Sequence, residues 1–130
     1  MDTNKSLPLM LALMALLLGC SKSPENRLIG EWKGTDTRGK AGTIIFNKDG
    51  SANLIEGNQV VEVTWSLDAS KDPMHLDFFR GKDESDGVMR MIARFIGESK
   101  LQLRKSRDVE TRPANFTSSE DRNQLILERQ

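Results

Sequence analysis

The chain has 130 residues, enough for one ordinary domain and too few for two. Hydrophobic residues make up 37% and charged residues 29%, a balance that suits a packed core and is uncommon in disordered chains. Nineteen Lys and Arg offset nineteen Asp and Glu, leaving no net field to gather nucleic acid, while one cysteine and one histidine exclude an internal disulfide and a histidine-rich metal centre.

The N-terminal residues 1–19 do not belong to a globular core. Lys5 sits in a short polar start, and Leu7 to Leu18 form an almost pure apolar run that ends at Gly19-Cys20. As a helix this run reaches roughly 18 Å, well short of the ~30 Å hydrocarbon core of a bilayer. It therefore reads as a secretory signal peptide and not as a membrane span. Leu17-Leu18-Gly19-Cys20 resembles the bacterial lipobox. That resemblance implies that the Cys20 thiol receives a diacylglyceryl group, that the chain is cut before Cys20, and that the new amino group is acylated, with palmitate-type chains as the lipid. Two or three acyl chains, at about 0.8 kcal/mol per buried methylene, hold a protein on a bilayer far more firmly than one. The alternative is an ordinary cleavage site with Cys20 as an incidental thiol. Ser21, standing where an aspartate would, is similar to lipoproteins sorted to the outer membrane. The expected location is thus the cell envelope, at the outer membrane where the bacterium has one.

Residues 20–26 read as the lipidated cysteine and a polar tether, "SKSPEN", which reaches at most roughly 20 Å when extended. The domain then occupies residues 27–130, with no repeat, charge block or second linker to divide it.

Alternation and turn chemistry predict strands along that domain. "LIGEWKGTD" (28–36) alternates around Leu28, Gly30 and Trp32; "GTIIFNK" and "SANLIEG" flank Asp49-Gly50, a tight-hairpin signal. After Gly57-Asn58, Val61, Val63, Trp65 and Leu67 share one face of the next strand, and Asp72-Pro73 ends the turn that follows it. "MHLDFF" groups Met74, Leu76 and Phe78. "GVMRMIARFIG" sets Met89, Met91, Ala93 and Phe95 opposite Arg90 and Arg94, a period of two that argues against a helix there. Leu101 with Leu103, then Leu125 with Leu127, complete about eight strands. Eight short antiparallel strands form either a sandwich or a closed up-and-down barrel, and closure suits consecutive hairpins because it leaves no edge.

The order of motifs settles between these by resemblance. Leu28-x-Gly30-x-Trp32, Phe46-x-x-Asp49-Gly50, a tryptophan strand running into "KDPMHLDF", and Arg112-Pro113-x-x-Phe116 before a last strand ending in Glu-Arg are similar to a family of small bacterial lipocalin-like domains. Its members are mostly uncharacterised secreted or lipid-anchored proteins. Where that family often has a glycine-isoleucine-tyrosine start to the sixth strand, this chain has Gly87-Val88-Met89. The resemblance implies an all-β, eight-stranded lipocalin-like barrel. Gly30 would let the first strand bend as it enters the barrel, and Trp32 would plug one end. It also implies an arginine stacked over Trp32, with Arg112 the first candidate and Arg129 the second. Pro113 would make "RPANF" a turn or a single helical turn that returns Phe116 to the base.

Other site signals are weak. His75 and Asp77 share a strand face at a spacing that would hold a metal, but opposite the apolar set, so they face solvent. Asn47, Asp49 and Glu56 resemble part of a calcium loop, yet Ile45 occupies the first ligand position and the context is a hairpin. Asn115-Phe116-Thr117 is a glycosylation sequon, of no use to a bacterial lipoprotein. The stretch "RKSRDVETR" mixes its cations with Asp108 and Glu110 and reads as a self-paired loop. No nucleophile elbow or phosphate loop is present, so neither an enzyme nor a cofactor is expected. Two functions remain: an envelope interaction or maintenance module with a filled barrel, acting through residues 80–87 and 104–123, and a carrier or sensor of a small hydrophobic ligand. Residues for the second are Trp65, Phe78, Met89, Met91 and Phe95, where pliable methionine suits an irregular guest. Expected partners are the membrane through the lipid and either an envelope protein or a hydrophobic ligand, with the protein a monomer and nucleic acid excluded.

Overall fold

Alternating side chains over eight segments require a sheet with one dry face, and the chain meets this by closing the sheet on itself. In a computed structural model, which describes residues 22–36, 38–106, 111–117 and 123–130, a short helix α1 (Pro24–Leu28) precedes eight strands. These are β1 (Gly30–Asp36), β2 (Ala41–Phe46), β3 (Ser51–Glu56), β4 (Gln59–Asp68), β5 (Met74–Phe79), β6 (Val88–Ile96), β7 (Lys100–Lys105) and β8 (Gln124–Arg129). Each pairs antiparallel with its neighbour in sequence, and β1 pairs with β8, so the sheet is a closed barrel. The signal and lipobox residues, Cys20 among them, lie outside the described residues.

The cross-strand register sends one set of residues inward. Trp32 sits opposite Ile44, Ile44 opposite Leu54, Phe46 opposite Ala52, Leu76 opposite Met91, and Leu101 opposite Leu127. Most of these are almost fully buried and form a single core. Among the described residues the buried hydrophobic set runs from Leu28 to Leu127, so the chain from Ser21 onward carries the whole core and the whole hydrogen-bonded ring. It has what it needs to fold on its own.

One end of the barrel is sealed. The strand directions put α1 and the β2–β3, β4–β5 and β6–β7 turns at this base, and the β1–β2, β3–β4, β5–β6 and β7–β8 connections at the opposite mouth. Trp32 is fully buried, and its indole N–H donates to the Leu28 carbonyl at 2.8 Å. The Arg129 guanidinium lies 4.3 Å from the Trp32 ring centroid and donates to the carbonyls of Ile29 and Arg27. Arg27 in turn covers Phe95 at 4.0 Å and donates to the Gly97 carbonyl at 3.0 Å. These bonds tie α1 across the base as a plug. Ser23 caps the helix by accepting from the Asn26 N–H, and Pro24 occupies its first turn, where a missing N–H does no harm. Pro24, Glu25 and Asn26, assigned to the tether by sequence, are thus part of the folded unit.

Gly30 enters β1 with φ of +130°, a conformation that glycine adopts without strain, and a Cβ there would sit 3.3 Å from Arg129 Nη1. Gly34 is needed for another reason. A Cβ on it would lie 2.3 Å from the Ile126 carbonyl oxygen, so β1 and β8 approach as they do only because this position is bare.

Two expectations are corrected. The arginine over Trp32 is Arg129 and not Arg112, because Arg129 stands directly across from Trp32 in the β1–β8 register. Arg112 lies on the outer wall instead, where it reaches Asp77 Oδ1 at 2.7 Å and donates to the Met91 carbonyl at 2.8 Å. Phe116 does not return to the base. It stacks under Arg94 at 4.5 Å, and its carbonyl accepts from Gln124. Residues 111–117 run without helix, and Asn115 turns them by accepting from the N–H and hydroxyl of Thr117. The segment straps the outer face of β5 to β8, the wall on which the outward-register Ile92 is only 1% exposed.

Replacing Arg129 with Ala removes the ring contact and two bonds to α1, and is expected to cost about 2 kcal/mol in urea unfolding. Arg112→Ala leaves the plug intact; if both substitutions destabilise equally while tryptophan fluorescence stays unchanged in Arg129→Ala, the assignment of the base contact is wrong.

Candidate functional site

An eight-stranded barrel is just wide enough for its own side chains to fill, so empty space inside one has to be left by small residues. Here the filling is uneven. Phe46, Trp65 and Phe78 form one cluster, with Trp65 edge-on to Phe46 at 5.6 Å and Phe78 at 5.8 Å, and Trp32 meets Phe95 at 6.3 Å. Nearer the mouth β1 and β2 contribute Gly34 opposite Gly42, two positions without side chains. The result is a cavity of about 580 Å³ that opens at the mouth. Its walls are mostly aliphatic, including Ile44, Leu54, Val63, Leu103, Leu125 and Leu127, and the nearly fully buried Phe78 and Met91 also line it. That volume lies within the range of small-molecule sites.

Two side chains record the opening directly. Val61 and Met89 are on the inward register, opposite Leu54 and Phe78, yet they are 42% and 39% exposed. Inward apolar residues reach solvent only through an unfilled interior. The rim is polar: Asp36, Lys40, Glu56, Gln59, Arg80, Asp86, Lys105 and Asn123 all border the cavity. Both stretches singled out as loops, 80–87 and 104–123, contribute to it.

The ligand residues expected from sequence divide into two groups. Phe78, Met89 and Met91 line the cavity. Trp65 and Phe95 do not: Trp65 packs on Phe46 and donates its indole N–H to the Asn47 carbonyl at 3.2 Å, and Phe95 belongs to the base beneath Arg27. Alternation reveals which face a residue takes but not its height along the barrel axis, which depends on stagger between strands. Sequence reasoning also passed over Arg80 and Lys105. A signal for them was present, since the inward parity of Met74-Leu76-Phe78 continues to Arg80 and that of Leu101-Leu103 to Lys105.

His75 and Asp77 lie on the outer wall, away from the cavity, and Asp77 is taken up by Arg112 with Arg90 at 4.0 Å. No group of three or more metal-ligating side chains occurs among the described residues. Burial holds the His75 imidazole below its ordinary value of 6.5, assisted by the nearby Arg112 and Lys71 charges and opposed by Asp68 and Asp77. Asp49 adopts a turn, accepting from the Ser51 hydroxyl and N–H at 2.6 and 2.9 Å.

The chain matches no family model, and no curated protein or solved structure is significantly similar to it. The class defined by the coordinates is therefore an all-antiparallel, eight-stranded closed β-barrel, sealed at one end and hollow at the other.

The folded protein binds a proton at His75 less readily than the unfolded chain, so stability falls as pH drops below 6.5 and continues to fall down to the folded value. The carboxyls of Asp36, Asp49, Asp68 and Asp83 are held below 3.8 by turn hydrogen bonds, and their contribution is lost only below that. Urea unfolding at pH 7 and pH 5 is thus expected to show a loss that His75→Gln reduces; an identical slope in that variant would rule out His75 as the source.

Proposed function

We propose that this protein is a lipid-anchored, non-catalytic component of a bacterial cell envelope whose lipocalin-like barrel carries or senses a small hydrophobic ligand. The observation that carries this reading is the open apolar cavity. An interaction module with a solid barrel needs no such space, and leaving inward-facing Val61 and Met89 in water forfeits burial worth roughly 25 cal/mol per Å². A guest in the cavity restores it.

The anchor and the barrel fit together geometrically in this reading. Cys20 precedes Pro24 by four residues, a reach of at most about 14 Å, and α1 is bound to the sealed base. A lipid on Cys20 would hold the base against the bilayer and turn the mouth away from it. Ligand exchange then occurs with the aqueous compartment or with a second envelope protein. The protein acts as a monomer, since closure leaves no free sheet edge.

Two measurements test the proposal. Mass spectrometry of protein extracted from membranes is expected to find an N-terminus at Cys20 carrying two or three acyl groups; Cys20 as N-terminus without acyl mass would end the anchoring half. Native mass spectrometry of the protein beginning at Ser21 is expected to find co-purified small molecules, or uptake of an apolar fluorescent probe. Met91→Trp adds bulk at one lining position, and Gly42→Leu fills the cavity from a wall where a Cβ meets nothing closer than 3.6 Å. Loss of probe binding in both variants is the expected outcome, and unchanged binding in both, with the fold retained by circular dichroism, excludes the barrel interior as the site.

A further inference from the structure

The charges at the mouth are not evenly matched. On the β1–β4 side they are satisfied within the protein: Asp36 accepts from the Arg38 and Lys40 N–H groups at 2.9 Å each, and Lys40 pairs with Glu56 at 2.7 Å. On the β5–β7 side two cations border the cavity with no carboxylate within 4 Å among the described residues: Arg80 and Lys105. Each ends an inward-facing row. Arg80 follows Phe78 by two residues, and Lys105 stands across from Met91. Exposed Met89, opposite Phe78, lies on the strand between them. Asp86, in the same hairpin as Arg80, is turned toward the Lys82 N–H and packs where a Gly81 Cβ would stand.

From this juxtaposition of an aliphatic cavity with two lip cations that no described carboxylate pairs with, we infer that the guest is a single-chain amphiphile with an anionic head. Its hydrocarbon chain lies among Leu54, Val63, Leu103 and Met91, and a carboxylate or a phosphate or sulfate ester at its end pairs with Arg80 and Lys105. The inference rests on the barrel being a ligand carrier and adds the chemistry of the ligand. A neutral or cationic amphiphile would leave both cations unpaired beside it, and the cationic one would also meet repulsion from them.

Dodecanoate, dodecanol and dodecyltrimethylammonium share one alkyl chain and differ in head charge, so their affinities separate the two claims. They are titrated below their aggregation concentrations into the protein beginning at Ser21, with displacement of an uncharged fluorescent probe as the readout. Dodecanoate is expected to bind about tenfold or more tighter than dodecanol, the ammonium weakest, and the gap to narrow as salt is raised. Arg80→Gln with Lys105→Gln is expected to bring dodecanoate down to the level of dodecanol measured on the same variant. Arg80→Lys with Lys105 intact is expected to keep the preference. Equal binding of dodecanoate and dodecanol by the unaltered protein, or a preference that survives the double substitution, overturns the anionic head but leaves the carrier intact. Binding of none of the three overturns both.

Discussion

Pairing of the first strand with the last is the contact on which the other features depend. It converts a meander of eight strands, paired in sequence order, into a ring with no free edge, and sets Trp32 across from Arg129 on the inside. The guanidinium then lies over the indole and reaches back to two carbonyls at the end of α1. One register therefore closes the sheet, seals the base and fixes where the N-terminus leaves the fold. The close approach of β1 to β8 rests on Gly34, since any side chain there would meet the Ile126 carbonyl.

The same glycine has a second effect at a different level of the structure. It faces inward beside Gly42, and together they leave the upper wall of β1 and β2 bare. With aromatic volume gathered in the lower half, the barrel divides into a solid base and a hollow mouth. A backbone requirement for strand pairing thus creates the space that the proposed function uses. Stability and the proposed binding occupy opposite ends, so the base can be tight while the mouth stays open.

The outer wall repeats this economy. Segment 111–117 is held by Arg112 on Asp77, by Arg94 over the Phe116 ring and by Gln124 on the Phe116 carbonyl, on the wall that carries the outward-register but buried Ile92. Polar residues of the strands serve here as attachments for a strap. The mouth differs, because its β5–β7 side keeps two cations that no strap or carboxylate engages among the described residues.

Much of the architecture was legible in the chain itself. Period-two alternation and the Asp-Gly and Gly-Asn turns mark the strands and decide which side chains of each share a face, since a strand admits only two sides. Apolar length before Cys20 likewise depends on composition alone. What the sequence leaves open is height along the barrel axis and position around it. Met89 and Phe95 lie at opposite ends of β6, so chain order alone separates lip from base there, whereas the height of Trp65 relative to them depends on stagger between strands. Arg112 and Arg129 look equivalent as residues near the C-terminus, and only the β1–β8 register separates the one that stacks on Trp32 from the one on the outer wall. Alternation is a local property of the chain. Whether a closed ring is full or hollow depends on side-chain volumes from strands far apart in sequence, and tertiary structure alone brings those to one level.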